Sequence, residues 1–187
     1  MSAQTEKPAA GFPARARAWL AAARANPRFR WGMLGAAGVI ALDQASKAWM
    51  IHGLDLRQRG RIEISPVFDL TYVQNYGASF GMLAGGMVSR ILLSLVAVVV
   101  ATALTVWLGR LARGWAAAGC AFIIGGALGN LIDRVRQGFV TDFLDFSGLY
   151  FPWVFNVADA AINVGVACLV IDAFLHREGK RPTGRDA

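Results

Sequence analysis

Cysteine and histidine are scarce: the chain of 187 residues has two of each. Cys120 and Cys168 lie inside long apolar runs, which excludes a disulfide framework or a zinc site and leaves packing as their role. His52 and His176 fall at or beyond the ends of such runs, one on each side, so neither joins the polar cluster described below. No metal and no other cofactor is implied. A serine–lysine catalytic pair is also missing, because Ser46 is adjacent to Lys47 on a helix and faces another way. Charge is sparse as well, at 17% of residues, and no internal repeat is visible.

Hydrocarbon fills the space: 56% of residues are hydrophobic, against roughly 45–50% in a soluble domain. Four stretches, residues 31–52, 87–108, 115–132 and 157–175, are long enough to cross about 30 Å of bilayer. The expected fold is therefore an all-α membrane protein of four transmembrane helices, one domain over residues 31–176. Basic tails flank it at residues 1–30 and 177–187. The net charge of +7 is not spread as a nucleic-acid surface would require. It gathers in the N-terminal tail, at Arg110 and Arg113, and after His176. The positive-inside rule puts all three segments in the cytoplasm, with both termini on that side. The first span starts too late, is too long and carries Asp43 and Lys47, so it does not read as a cleavable leader. Trp31, Trp49, Trp107, Trp115 and Trp153 mark span ends, as an interfacial belt would.

In the tail, ARARAWLAAARA reads as a solvated segment in preference to a basic surface helix. Between spans one and two, RIEIS and FDLTYV alternate apolar with other residues on either side of Pro66, which predicts a short β-hairpin outside the membrane. The glycine-rich NYGASFGMLAGG after it reads as irregular, and the aromatic DFSGLYFPWVF as a surface segment.

The polar residues of the spans converge. Spans one and three run outward, placing Asp43, Lys47, Asn130, Asp133 and Arg134 toward the outer side. Span four begins there with Asn156, Asp159 and Asn163 at i, i+3 and i+7 on one face, and Asp142 lies in the connection before it. Asp43 and Lys47 read equally as a buried ion pair or as groups orienting a site. Asp133 with Arg134 reads as a rim ion pair or cap, and Asn75, Asn130 and Asn156 as amides bonding exposed backbone. Asp172, far down span four, reads as snorkelling; Asp55, Asp69 and Asp145 read as solvated. Asp142 and Asp159 read either as buried acceptors paired with Arg134 and Lys47 or, in preference, as the candidates for chemistry, because two carboxylates beside hydrocarbon are costly to keep ionised and a close pair shares a proton.

The blocks DQASK (43–47), NYGASF (75–80), GNLIDR (130–134 over its polar part), VTDF (140–143) and FNVAD (155–159) together resemble lipoprotein signal peptidase, the bacterial signal peptidase II family, in order and spacing. The resemblance covers roughly residues 31–176. It implies four transmembrane helices with a small extracytoplasmic β-cradle and a short surface helix or loop. It implies Asp142 and Asp159 as the catalytic dyad. Asp43, Lys47, Asn75, Gly77, Ala78, Asn130, Arg134, Val140, Phe155, Asn156 and Ala158 would form or support the pocket. Ser79 departs from the second alanine expected there. The implied substrate is a diacylglyceryl-modified prolipoprotein cut just before its lipidated cysteine, in the bacterial inner membrane near the outer face. The enzyme would act as a monomer among membrane lipids, without metal or nucleic acid.

In an aspartic mechanism one carboxylate takes a proton from water while the other, protonated, polarises the scissile carbonyl. Asn156 or Asn163 would orient the pair, and Arg134 would hold substrate backbone or a headgroup. Two other classes remain open to the residues alone. A small proton-coupled transporter needs polar stations across the whole bilayer, and the deep inner half offers only Asp172. A non-catalytic signal-helix-binding protein would hold the precursor and leave it uncut.

Overall fold

The computed structural model describes residues 11–77 and 86–177. Helix α1 (Phe12–Ala25) leads into α2 (Pro27–Ala48), which a π-helical turn over Trp49–Gly53 prolongs. A single turn, α3 (Leu56–Arg59), precedes strands β1 (Arg61–Ser65) and β2 (Phe68–Asn75). Then come α4 (Met87–Leu108), α5 (Gly114–Gln137), β3 (Val140–Asp145), a 3-10 turn (Ser147–Leu149), β4 (Val154–Phe155) and α6 (Val157–Arg177).

Three of these helices, α4, α5 and α6, are long and apolar enough to cross a membrane. The predicted first span falls on α2 and its π-helical turn, where Asp43, Gln44 and Lys47 lower the hydropathy. Helix α5 is central, with 67% of its apolar window buried against 17% for α4 and 28% for α6. Glycines let its neighbours approach. A methyl group at Gly126 would lie 2.3 Å from the Ala158 carbonyl oxygen of α6, and one at Gly125 would lie 2.8 Å from the Ala36 carbonyl oxygen of α2. The outward faces of α4 and α6 stay apolar, with Val88, Leu95, Val99, Val166 and Phe174 exposed. Such a surface calls for a hydrocarbon solvent.

The hairpin expected from RIEIS and FDLTYV is present as β1 and β2, paired antiparallel through Ile62↔Leu70 and Glu63↔Asp69. It is half of a sheet. Strand β3 adds to β2 and β4 to β3, giving the antiparallel order β1-β2-β3-β4. The expected connection around Asp142 is thus a strand: nearly every position of β3 is buried, so VTDFLD lacks the alternation that marks a strand in sequence. Chain order places this sheet at the end of the bundle where α2 finishes, α4 and α6 begin and α5 finishes. Met50, Leu56, Leu70 and Phe143 form a small core beneath it. A larger core of Ala36, Ala101, Leu108, Ala117, Cys120 and Ile124 fills the opposite half. Cys120 and Cys168 are buried and unpaired, as packing residues are.

Four expectations are corrected here. The solvated reading of residues 12–25 gives way to helix α1, which buries Ala23 and sets Trp19 edge-on to Phe29 at 6.0 Å. Asn26 then fastens the corner: its side-chain oxygen caps α2 at Arg28 N, and its Nδ2 donates to the Leu111 carbonyl at 2.9 Å. Asp172 does not snorkel; it is buried and bonded to Arg113 from the α4–α5 turn at 2.8 Å. Asp69 and Asp145 are not solvated either. They are register partners on β2 and β3, Asp69 paired with Arg61 and Asp145 accepting from the Thr71 hydroxyl at 2.6 Å. That hydroxyl is the main reason Asp145 stays below the ordinary carboxylate range. Asp55 is exposed as expected.

Candidate active site

Helix α6 starts with a local device that sets the site. Asn156 precedes it, and its side-chain oxygen accepts from Asp159 N at 3.0 Å while Asp159 Oδ2 accepts from Asn156 N at 3.2 Å. This is a reciprocal capping box built from N-x-x-D. It satisfies two backbone donors and pins the Asp159 side chain across the helix mouth. The same Asn156 reaches sideways into the sheet, where its Nδ2 donates to Asp142 Oδ1 at 2.6 Å. Both carboxylates therefore bind nitrogens of one residue, which is itself fully buried.

Each aspartate has a second amide donor. Asn75 Nδ2, from the end of β2, donates to Asp142 Oδ2 at 2.9 Å. Asn130 Nδ2, from α5, donates to Asp159 Oδ1 at 2.8 Å. Asp142 is 1% exposed, and its carboxyl is pushed up to about 7. Burial is the larger cause and the charge of Asp159 the next, against the lowering pull of the Asn75 and Asn156 amides. The expected backbone-bonding role of the asparagines holds only in part: the Asn75 and Asn156 oxygens accept from the nearby Gly77 and Asp159 N–H groups, while the side-chain NH2 groups of all three donate to the carboxylates or to one another.

Behind the pair lies a buried charge cluster. Lys47 Nζ is 2.9 Å from Asp43 Oδ2 and 2.8 Å from Asp133 Oδ2, and it donates to Asn130 Oδ1 at 3.2 Å. The predicted Asp43–Lys47 ion pair exists, and through Asn130 it also fixes the amide that holds Asp159. Asp133 pairs with Lys47 and not with Arg134, so the rim-pair reading is corrected. Asp43 Oδ1 accepts from Ala158 N at 3.0 Å, tying α2 to the first turn of α6. Gln44 was missed by the sequence reading. Its Nε2 reaches Asp43, Asp133 and the Gly129 carbonyl, and its place between Asp43 and Lys47 in DQASK was the available signal.

The remaining predicted residues divide. Gly77 N donates to Asn75 Oδ1 at 2.8 Å, turning the amide nitrogen toward Asp142. Its φ of 87° and the nearness of Leu93 leave no room for a side chain. Val140 is buried opposite Asn75 in the sheet, and Phe155 stacks on Phe146 at 5.7 Å. Arg134 is half-buried, has Asp159, Asp142 and Asp133 as its charged neighbours, and among the described residues its guanidinium makes no hydrogen bond or ion pair. Asn163 is exposed on α6 and does not orient the pair. Ala78 and Ser79 lie outside the described residues. An open cavity of about 350 Å³ lies over Asp142 between Asn75, Tyr76, Trp153 and Val154.

Buried Asp142 beneath an open cavity and half-buried Asp159, both held by amides at the sheet-bearing end of an apolar helical bundle, fit the class of membrane aspartyl peptidases. The model of the signal peptidase II family matches residues 35–175. A lipoprotein signal peptidase of Caulobacter vibrioides is 47% identical over 146 residues, covering 78% of this chain and 87% of its own length. One from Shewanella loihica is 47% identical over 154 residues, covering 79% and 87%. A bacterial membrane enzyme solved in meso at 2.3 Å resolution superposes with a TM-score of 0.69 at 26% identity, over 83% of this chain and 94% of that one. The chain belongs to the signal peptidase II family.

Proposed function

We propose that this peptidase removes the signal peptide from diacylglyceryl-modified prolipoproteins, cutting before the lipidated cysteine, with Asp142 and Asp159 as its catalytic pair. The observation that carries the assignment is the attachment of both carboxylates to Asn156, with the cavity opening over Asp142. The pair shares one proton near neutral pH. Its ionised member takes a proton from water as the oxygen attacks the scissile carbonyl carbon. The protonated member donates to the carbonyl oxygen. Collapse of the tetrahedral intermediate breaks the C–N bond, and a carboxyl proton passes to the leaving amine. Asn75, Asn130 and Asn156 hold the two acids apart from other partners. Arg134 is placed to receive substrate carbonyls or a phosphate.

In the same reading α2 with its π-helical turn is the fourth transmembrane helix. Its polar residues turn inward onto α5, so its lipid face is apolar. Both termini are cytoplasmic, the sheet and the pair lie at the outer face, and the enzyme works as a monomer. Family membership speaks against the transporter and the non-catalytic binder. The test assays Asp142→Asn and Asp159→Asn separately on lipid-modified precursor. Each is expected to abolish cleavage while keeping the wild-type fold. Near-wild-type turnover by either folded variant would remove that residue from the chemistry.

A further inference from the structure

At the opposite end of the molecule a groove of about 270 Å³ opens between α2 and α5. Its walls are Gly35 and Val39 of α2 and Ala117, Ala118, Ala121 and Phe122 of α5. A methyl group at Gly35 would already lie 3.4 Å from the Ala121 methyl, so the absence of side chains is what makes the groove. Arg28 and exposed Trp31 stand at its mouth, and Arg28 is the one charged residue of the lining. Among the described residues the Arg28 guanidinium has no hydrogen-bond or ion-pair partner, although its backbone N–H donates to the Asn26 side chain that caps α2.

We infer that this groove holds one acyl chain of an anionic phospholipid of the inner leaflet, with its phosphate against Arg28. Length supports a lipid. From Arg28 to Val39 is about 16 Å along the helix, close to the ~15 Å hydrocarbon depth of one leaflet. Trp31 sits at the level where an interfacial aromatic belongs. Charge decides among the occupants. A signal helix would bring a basic N-terminal region against Arg28, with Arg24 and Arg30 close by in sequence. A second copy packed symmetrically through the groove would bring like charges together. A phosphodiester satisfies the guanidinium, and a chain ending near the midplane fills the apolar part. The inference rests on α2 spanning the bilayer, as proposed above, and is independent of the catalytic assignment.

Native mass spectrometry of the full chain in detergent tests it, with phosphatidylglycerol and phosphatidylcholine of identical acyl chains supplied together. The wild type is expected to retain one phosphatidylglycerol with about fivefold preference. Arg28→Gln is expected to abolish the preference while retaining lipid. Gly35→Leu, which fills the groove, is expected to lose retention of both. Equal retention of the two lipids by the wild type, or unchanged retention by Gly35→Leu, would overturn the proposal. So would a crosslinked dimer formed across α2 and α5. Precursor cleavage measured on the same samples separates the readings. Both variants should cut normally, since groove and carboxylate pair lie at opposite ends, whereas a failed dyad assignment would leave lipid retention untouched.

Discussion

Asn156 concentrates more structural work than any other side chain of the site, because one amide both caps α6 and holds Asp142. Asn156→Ala is expected to lose roughly 1 kcal/mol for the cap and about 1.5–3 kcal/mol for the bond to a carboxylate, with cleavage falling at least tenfold. Thermal melts and single-turnover assays check both. The pair also dictates a pH profile. Asp142 at about 7 keeps the shared proton only up to neutral pH, so cleavage should fall on an alkaline limb above that value. The Asn75 bond lowers the Asp142 pKa, so Asn75→Ala should move the limb to higher pH. The sign for stability is opposite to that of an ion-paired acid. A carboxyl raised in the folded state contributes fully below about 3.8 and loses that contribution as pH climbs toward 7. Asp142→Asn should therefore flatten the dependence of Tm on pH across that window. Lys47→Met would leave Asp43 and Asp133 buried without their cation, at a cost of roughly 3–5 kcal/mol. Adding Asp43→Asn should recover part of it in a denaturation series.

Between elements, the close contact of α5 with α6 and the position of the dyad are one feature. Ala158, whose carbonyl blocks any side chain at Gly126, is the residue before Asp159 and gives its N–H to Asp43. Gly126→Ala must push α6 away at its first turn, costing about 1–3 kcal/mol and disproportionate activity, because Asp159 moves with that turn. Gly38→Ala, with nothing within 4 Å of the added methyl, should leave both unchanged. Cleavage rate and melting temperature of the two variants, measured side by side, check the contrast. The sheet has a matching role. By adding β3 to the predicted hairpin it carries Asp142 to Asn75, a pairing recorded in the register Val73↔Asp142 and Asn75↔Val140.

For the molecule as a whole, the family core begins at residue 35, while α1 and the first turns of α2 precede it. Helix α1 packs on the end remote from the carboxylates, where Trp19 and Ala23 cover Gly109. Deleting residues 1–25 should thus leave precursor cleavage in detergent near the wild-type rate while lowering the melting temperature, since the α4–α5 turn loses its cover. A loss of cleavage at unchanged stability would show that the extension serves the reaction.

Helix positions, the hairpin and the polar residues that meet at one end were legible in the chain, because apolar runs, period-two alternation and positive-inside charge are local properties. N-x-x-D reads in the chain only as one shared face; that it caps α6 and fixes Asp159 is seen in the fold. The partners were not legible. That Asp133 joins Lys47 and leaves the Arg134 guanidinium without a bonded partner among the described residues, that Asp172 meets Arg113, and that a nearly fully buried VTDFLD becomes a strand all depend on which surfaces face one another across α5. Sequence spacing decides what lies on one face of one element. Which buried charge finds which partner is decided when separate elements close the low-dielectric space between them, where an unpaired ion costs more than any local preference supplies.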